Sequence, residues 1–342
     1  MTQTMADELD GLRAMTTGPV IDPSDAEYDA ARTVWNAGID RRPAAIVRCM
    51  SSADVAAALA FAQAHGLDVA VRGGAHSIPG HSVCDGGMVI DLGLLNEVTV
   101  DAAAKRARVG GGALLHDLDV ATQAHGLAVP AGVVSHTGVG GLTLGGGMGW
   151  LTRLAGLSID NLVAAQVVVP DGRILRAADD ENAELFWAIR GGGGNFGVVT
   201  EFEFRLHDVG PIVSLGLFFW PPEQRVEALR LMRDVVATLP RSMNAMPAAA
   251  LNAPPAPFVP LQHHHQPGCA LLLVGFGDPG EHERAVHQIR EALPPLFDHV
   301  GPIPYVELQQ LLDEANAWGF HGYDKSGYFD DLTDEVIDIL AE

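Results

Sequence analysis

The stretch Val71-Arg72-Gly73-Gly74-Ala75-His76-Ser77-Ile78-Pro79-Gly80-His81-Ser82 decides how the rest of the chain is interpreted. An apolar run over residues 67–71 leads into it and predicts a buried strand. Adjacent glycines permit positive φ and leave no Cβ in the way of a close ligand. Successive backbone N–H groups in such a turn can form a concave anion site. The stretch therefore predicts a turn that holds a diphosphate and places the imidazole of His76 beside it.

Length, charge and cysteine content limit the classes of protein to which this chain can belong. At 342 residues the chain is long enough for about two domains. It has no apolar run of the ~18 residues that a membrane-spanning helix needs, and its N-terminus lacks the pattern of a signal peptide. We therefore expect no membrane partner and a cytoplasmic location. The net charge of −22 argues against a nucleic-acid partner. The scattered Cys49, Cys84 and Cys269 predict buried small apolar residues rather than disulfides or a zinc site.

Positive charge is scarce, because Lys105 and Lys325 are the only lysines. A phosphate ligand would therefore depend on backbone N–H groups, which suits the glycine content. Glycines cluster at 73–74, 132–149 and 191–197. A ligand large enough to contact all three clusters would be a dinucleotide. From the residues alone, a bound dinucleotide and a purely structural role for His76 are equally good interpretations.

The order of predicted elements indicates two domains. Residues 44–72 predict a β-α-β unit whose helix is N-capped by Ser51 or Ser52 and ends at Gly66. Before the boundary near 207–211 the patterns predict further strands at 88–92, 97–101, 106–110, 164–170, 173–177 and 198–206, and helices at 26–36, 113–125 and 181–190. After it they predict strands at 214–220 and 270–276, and helices at 223–239, 281–293 and 332–340. A sheet with only these strands would have a long exposed edge. We therefore expect the second domain to be incomplete.

Two conspicuous motifs favour ordinary structural roles. Gly275–Gly280 matches the G-x-G-x-x-G pattern of dinucleotide-binding proteins. However, Asp278 would place a carboxylate against a pyrophosphate and Pro279 removes an N–H donor, so we predict a turn that opens a helix. The consecutive residues His263–His265 cannot easily converge on one metal ion, so they predict a solvated or packed loop. No metal site is expected.

Taken together, the glycine clusters resemble a known family. Arg72–Ser77 and Gly80–Ser82 resemble the flavin-attachment loop of the FAD domain of the vanillyl-alcohol-oxidase/p-cresol-methylhydroxylase (PCMH) type. Other segments agree with that family in order and spacing: Val89–Leu92, Gly110–Gly112, Gly138–Gly141, Gly145–Gly147, Asp160–Asn161 and Leu185–Gly197. Over roughly residues 40–330 the chain is most similar to the berberine-bridge-enzyme-like and bacterial 6-hydroxynicotine-oxidase-like oxidoreductases.

The resemblance implies an α+β fold in which a PCMH-type FAD-binding domain of two α/β subdomains precedes an antiparallel-sheet substrate domain that looks truncated. The expected boundaries are an N-terminal arm at 1–39, the FAD-binding domain at 40–209 and a partial substrate domain at 210–342. Relatives carry a further C-terminal segment that completes the substrate sheet. In relatives the catalytic base often comes from the substrate domain or from later residues, so the resemblance does not identify the catalytic base of this chain.

The resemblance also implies a function. An FAD-dependent oxidoreductase, an oxidase or dehydrogenase, would move hydride from a small organic alcohol, sugar or amine to FAD, with O₂ or another electron acceptor. His76 matches the site of an 8α-histidyl bond to FAD. Some relatives add a cysteine bond where this chain has Val134, so we expect the His76 bond alone. The alternative is a truncated, catalytically incompetent FAD-binding remnant.

The residues that the resemblance assigns to the cofactor come from the first two glycine clusters and from two later segments. Ala75 stands where glycine is common in the family, and we expect alanine to be tolerated. The assigned residues are Arg72, Gly73, Gly74, Ala75, His76, Ser77, Gly80, His81, Ser82, Val134, Thr137, Gly138, Gly140, Gly141, Gly145, Gly146, Asn161, Gly197 and Val198.

Overall fold

The chain divides into two compact units. The structure is a computed structural model that describes residues 3–342, with side chains from residue 8 onward. Unit 1 comprises the chain up to Gly149, Ala155–Asp208 and a returning segment, Gln309–Asp324. Unit 2 comprises Trp150–Leu154, Val209–Leu308 and Lys325–Glu342. Residues 1 and 2, with which the predicted N-terminal arm begins, lie outside the described residues.

The predicted arm at 1–39 is part of unit 1. Helix α1 (Gln3–Met15) buries Leu9 and Leu12 in the same core as the first sheet. Strand β1 (Val20–Ile21) pairs antiparallel with β2 (Ala45–Arg48), and the short helix α2 (Tyr28–Arg32) follows β1. The predicted helix at 26–36 was too long, because the chain becomes extended at Thr33.

The first sheet of unit 1 has the order β1-β2-β4-β3, and β2 and β3 both run parallel to β4. The predicted β-α-β unit is therefore present, with a third strand between its two strands. Its helix α3 (Ser52–His65) starts at Ser51, whose side chain accepts a hydrogen bond from Asp54 N, and ends at Gly66 with φ +63°. The other two strands are β3 (Val69–Arg72) and β4 (Met88–Asp91).

The second sheet of unit 1 is antiparallel throughout, in the order β5-β6-β10-β8-β9. Helices α4 and α7 pack their apolar faces against it. The strands are β5 (Val98–Asp101), β6 (Arg106–Gly110), β8 (Leu162–Val168), β9 (Ile174–Ala178) and β10 (Val198–Arg205), and a separate pair is β7 (Leu127–Ala128) with β11 (His207–Asp208). The helices are α4 (Leu115–Gln123), α5 (Val139–Leu144), α6 (Thr152–Ala155), which begins in unit 2, and α7 (Ala183–Gly192).

Unit 2 is a four-stranded antiparallel sheet in the order β13-β14-β12-β15, with helices covering one face. Trp220 and Phe218 form the centre of this core. The strands are β12 (Ile212–Trp220), β13 (Met243–Asn252), β14 (Pro267–Gly275) and β15 (Phe297–Pro304). The helices are α8 (Arg225–Thr238), α9 (Pro279–Ala292) and α11 (Asp334–Ala341), while α10 (Tyr305–Gln310) leads from unit 2 into the returning segment of unit 1.

Strands β13 and β15 were not predicted from the sequence, and both lie at edges of their sheet. Pro247 lies in β13, and Pro302 and Pro304 lie in β15. Proline cannot donate to a neighbouring strand, so it is tolerated at a sheet edge and weakens the sequence pattern of a strand. The expectation of few strands after residue 211 was therefore too low.

The motifs set aside in the sequence have the structural roles that were predicted. Asp278 caps α9 by accepting a hydrogen bond from Gly280 N, and Pro279 occupies the first turn. His263–His265 lie in a loop that is closed by a 3.0 Å hydrogen bond between His264 Nε2 and the carbonyl oxygen of Val259. Cys49 and Cys269 are buried, and Cys84 is half-buried. Across residues 3–342, no helix has the length and apolar character to cross a membrane.

A substitution at Gly74 tests how tightly unit 1 is packed. A Cβ on Gly74 would overlap the backbone of Gly138, so we expect Gly74→Ala to lower the free energy of unfolding by about 1–3 kcal/mol. Thermal denaturation measures the change. The control is Gly11→Ala in α1, whose Cβ would meet nothing within 4 Å and should leave stability unchanged or slightly raised. Equal melting temperatures for Gly74→Ala and the parent protein would contradict this packing.

Candidate functional site

Unit 1 contains a cavity of about 760 Å³ between the three glycine clusters, a size typical of small-molecule and cofactor sites. Among the described residues that line it, none is Lys, Arg, Asp or Glu. The lining comprises Val69, Ala70, Val71, Gly73, Gly74, Ala75, His76, Ser77, His81, Ser82, Leu92, Gly111, Thr137, Gly138, Gly140, Gly141, Leu142, Leu144, Gly193, Gly194, Asn195, Gly197, Val198, Val199 and Phe202. The three clusters that are separate in sequence thus share one cavity.

The turn after β3 presents free backbone donors to this cavity. Within the described residues, the N–H groups of Gly74, Ala75, His76 and Ser77 donate no hydrogen bond. Ala75 adopts φ +54°, which is unusual for a residue with a side chain and produces the bend of the turn. Consecutive N–H groups in such a bend form a site for an anion. These four N–H groups are therefore available to bind an anionic ligand.

Two further observations fit a phosphate-containing dinucleotide. The Oγ atom of Ser82 is buried at the cavity wall and has no hydrogen-bond partner in the described residues. A Cβ on Gly141 or Gly194 would meet nothing within 4 Å, so these glycines leave open the space that a side chain would fill. The residues present therefore fit a ligand that is bound by N–H and hydroxyl donors rather than by charged side chains.

His76 is held by three other aromatic rings at the end of this turn. Trp35 stacks on its imidazole with ring centroids 4.9 Å apart, and Trp318 presents its ring edge at 6.4 Å. The Nε2 atom of His76 lies 2.6 Å from Nδ1 of His136. Burial, and secondarily His136, lower the pKa of His76 to about 4, against the opposing effect of Asp313. The imidazole is therefore neutral at physiological pH.

The neighbours of His76 are fixed by the segment 309–324, which we call the return segment. The carboxylate of Asp313 accepts hydrogen bonds from Ser135 N at 2.7 Å and from Ser135 Oγ at 2.5 Å. Trp35 Nε1 donates to the carbonyl oxygen of Asn316 at 2.7 Å. The return segment therefore holds both the loop that carries His136 and the tryptophan that stacks on His76.

Six of the residues assigned from the sequence do not line the cavity. The guanidinium of Arg72 donates to the carbonyl oxygens of Ala31 and Thr33, so it supports the chain beneath the turn. Asn161 is buried, with its amide donating to Ala155 and Leu157 and its Oδ1 contacting His207, so it holds a neighbouring turn together. The other four are Gly80, Val134, Gly145 and Gly146.

The assigned residues that do line the cavity lie in all three glycine clusters and at the start of β10. They are Gly73, Gly74, Ala75, His76, Ser77, His81, Ser82, Thr137, Gly138, Gly140, Gly141, Gly197 and Val198.

Sequence reasoning missed the four neighbours of His76. The sequence did contain a signal for His136. This histidine lies inside the second glycine cluster, just as His76 lies next to the first. Trp35, Asp313 and Trp318 gave no local signal, since they are distant in sequence.

Comparisons with known proteins identify the family to which the chain is similar. A family model for an FAD binding domain matches residues 43–178. (R)-6-hydroxynicotine oxidase of Paenarthrobacter nicotinovorans is 34% identical over 301 residues, which are 88% of this chain and 64% of that protein. The crystal structure of 6-hydroxy-D-nicotine oxidase from Arthrobacter nicotinovorans has a TM-score of 0.81 at 31% identity, over 90% of this chain and 66% of that one.

A plant structure is also similar. BBE-like 1 of Physcomitrella patens has a TM-score of 0.79 at 26% identity, over 89% of this chain and 64% of that one. The chain thus spans slightly less than two thirds of the length of these relatives. With a matching FAD binding domain, a matching fold and the glycine-lined cavity in unit 1, the chain belongs to the FAD-linked oxidoreductases with a vanillyl-alcohol-oxidase/PCMH-type FAD-binding domain.

Proposed function

We propose that this chain is an FAD-dependent oxidoreductase that oxidises a small organic alcohol, sugar or amine, with FAD bonded covalently to His76 alone. The observation that supports it best is the turn after β3, where free backbone N–H groups adjoin a neutral imidazole. The N–H groups of residues 74–77 and the hydroxyl of Ser82 would hold the diphosphate. Gly138, Gly140 and Gly141 would form the wall along the flavin.

The state of the His76 ring supports the covalent bond. Attachment would replace a C–H bond at the 8α carbon of FAD by a C–N bond, with the displaced hydrogen leaving as a proton and its two electrons passing through the flavin to O₂ or another acceptor. The attacking nitrogen needs a free lone pair, and the low pKa keeps the ring neutral. Nε2 shares a proton with Nδ1 of His136 at 2.6 Å. Nδ1 of His76 has no hydrogen-bond partner among the described residues, so we propose it as the bonded nitrogen.

FAD would supply the acceptor for hydride from the substrate carbon and would pass the electrons to O₂ or to another acceptor. The protein's part is to hold the ring system and to keep water away from it. The cavity wall is apolar or glycine along most of its length, which suits a flat aromatic ring.

Removing the imidazole tests the attachment. We expect His76→Ala to retain some FAD without a covalent bond and to oxidise substrate more slowly. The parent protein should keep its flavin after denaturation and trypsin digestion, with FAD mass on the peptide 73–105. That peptide also contains His81, so fragmentation between the two histidines is needed to place the added mass on His76.

His125→Ala is the matched control, because His125 is exposed and does not line the cavity. It should keep the full amount of covalent flavin. Flavin mass on the peptide 109–153, which contains Val134 and His136, would contradict the single-bond proposal. Complete release of flavin from the denatured parent protein would overturn the covalent bond altogether.

The pH dependence of attachment tests the low pKa of His76. Because the ring stays neutral down to about pH 4, the rate of covalent incorporation should be unchanged between pH 8 and pH 5.5. A histidine with an ordinary pKa near 6.5 would lose about tenfold over that range. The measurement is in-gel flavin fluorescence at timed intervals after FAD is added to flavin-free protein.

Trp318→Ala provides the comparison. Loss of this ring admits water to His76 and raises its pKa toward the usual range, so the variant should slow at pH 5.5 while the parent does not. A tenfold decline in the parent protein would show that the imidazole is protonated by pH 5.5 and would contradict the proposed neutral state.

Oxidoreductase activity is tested by anaerobic bleaching of the bound flavin. We expect at least one member of a panel of alcohols, sugars and amines to reduce it, seen as loss of the flavin absorption band. Readmission of O₂ should restore the band if O₂ is the acceptor. A flavin that none of the panel reduces would favour the alternative, an FAD-binding protein without catalytic activity.

A further inference from the structure

The core of unit 1 contains a carboxyl group and an amide that each leave one oxygen without a partner. Asp119 on α4 and Gln309 on α10 are both about 1% exposed. Gln309 Nε2 donates to Asp119 Oδ2 at 3.0 Å and to the carbonyl oxygen of Gly132 at 3.1 Å. The remaining atoms, Asp119 Oδ1 and Gln309 Oε1, are buried acceptors without a hydrogen bond in the described residues. Two orphaned acceptors in one side-chain pair call for an explanation.

Rotating the amide of Gln309 does not resolve the problem. Its nitrogen already faces two acceptors, so exchanging nitrogen and oxygen would set Oε1 against both. An ionised Asp119 would add a buried charge without a cationic partner, which is strongly unfavourable. A proton on Asp119 Oδ1 instead supplies a donor for Gln309 Oε1. The acid and the amide then form two parallel hydrogen bonds, and both orphaned atoms are satisfied.

We propose that Asp119 is a protonated acid in the folded protein, and that its paired hydrogen bonds with Gln309 anchor the return segment over the His76 site until the proton is lost. This inference concerns the protein alone and does not rest on the proposed flavin chemistry. It assigns a role to a buried acid that the proposed oxidation does not use.

The position of Gln309 explains why this pair acts as an anchor. Gln309 is the first residue of the return segment, and its hydrogen bonds to Asp119 and Gly132 are buried. The later ties of the segment are partly exposed: Asp313 with Ser135, Asn316 with Trp35, and Gly322 with Asn36. Release of the buried pair therefore leaves the segment held by bonds with which water competes.

No charge on a neighbouring element accounts for the protonated state. Burial is the dominant cause and raises the pKa of Asp119 to about 7, while the hydrogen bond from Gln309 opposes the rise. None of the nearby titratable groups hydrogen bonds or forms an ion pair with this carboxyl in the described residues. These groups are His116 and Asp117 on α4, Asp101 on β5, Arg106 and Arg108 on β6, His207 and Asp208 on β11, Glu307 on α10, and Asp313 and Glu314 in the return segment.

The effect of pH on the anchor follows from the pKa of Asp119 in the closed and in the opened form of the return segment. An exposed aspartate has a pKa near 3.9, so between about pH 4 and pH 7 the closed form holds a proton that the opened form releases. The anchor is thus strongest at acidic pH and weakens as the pH rises, by up to about tenfold in the opening equilibrium per pH unit. Above the folded pKa the weakening levels off.

Hydrogen exchange of the return segment in the full-length chain tests the proposal, with Asp119→Asn as the variant. Asparagine can form the same two hydrogen bonds with Gln309 at every pH. Peptides from residues 309–324 should exchange equally in parent and variant at pH 5. At pH 8 the parent should exchange at least about tenfold faster. Because the substitution lies outside these peptides, intrinsic exchange rates cancel in each comparison.

Glu307→Gln is the control, since it changes an exposed acid on α10 to an amide without touching the pair. The ratio of its hydrogen-exchange rate to that of the parent, in peptides from residues 309–324, should be the same at pH 5 and at pH 8. A parent-to-variant ratio for Asp119→Asn that is also independent of pH would overturn the proposal.

Infrared spectroscopy of the parent protein gives a second test that does not require any variant to fold. At pH 6 most carboxyl groups are ionised, so a carbonyl stretch from a protonated carboxyl should be visible and should disappear on titration through pH 7. Where Asp119→Asn folds, it should lack this band and Glu307→Gln should keep it. Absence of the band in the parent would show that Asp119 is ionised and would refute the paired state.

Discussion

Two backbone segments meet at Gly74 and Gly138 so closely that neither position has room for a Cβ, and the geometry of the site depends on this contact. Gly74 lies two residues before His76, and Gly138 lies two residues after His136. When the segments meet, the two imidazoles come within 2.6 Å of each other. The same contact brings the free N–H groups after β3 to the cavity that the second glycine cluster lines. Any side chain at the contact would push the turn after β3 away from the second glycine cluster.

The described lining of the cavity contains no cationic side chain, and this has a consequence for His76. The one arginine in the turn, Arg72, directs its guanidinium to the carbonyl oxygens of Ala31 and Thr33. With neither a cation nor an acid among the described lining residues, the electrostatics of the wall come from N–H dipoles. Among the described residues no carboxylate hydrogen bonds with His76 to stabilise an imidazolium, so burial dominates and the ring is neutral. The lack of charged side chains in the described lining thus explains two features. An anion would have to bind to N–H groups, and the imidazole stays neutral.

Sequence patterns predicted the parts of this structure that depend on neighbouring residues. Helix α3 (Ser52–His65), the glycine turn after β3 and the capping role of Asp278 all follow from short-range backbone requirements. Ala75 was expected to be tolerated; it adopts φ +54°, and its methyl group is buried, which offsets part of the strain. Asn161, which the resemblance assigned to the cofactor, does not line the cavity, because its amide hydrogen bonds with the neighbouring turn. Trp35, Asp313 and Trp318 could not be placed, since only the tertiary path of the return segment brings them to His76.

The return segment therefore connects the protonation of two buried groups. Burial is the largest cause of the low pKa of His76, and Trp35 and Trp318 provide much of the ring surface that keeps water away. Trp318 lies in the segment, and Trp35 is bonded to it through Asn316. Asp119 and Gln309 hold the same segment where it enters unit 1. Below about pH 7 the protonated Asp119 keeps the segment closed, and the closed segment keeps His76 buried and neutral at pH values where an exposed histidine would be charged. Above pH 7 the segment loosens, but His76 is then neutral whether it is buried or hydrated.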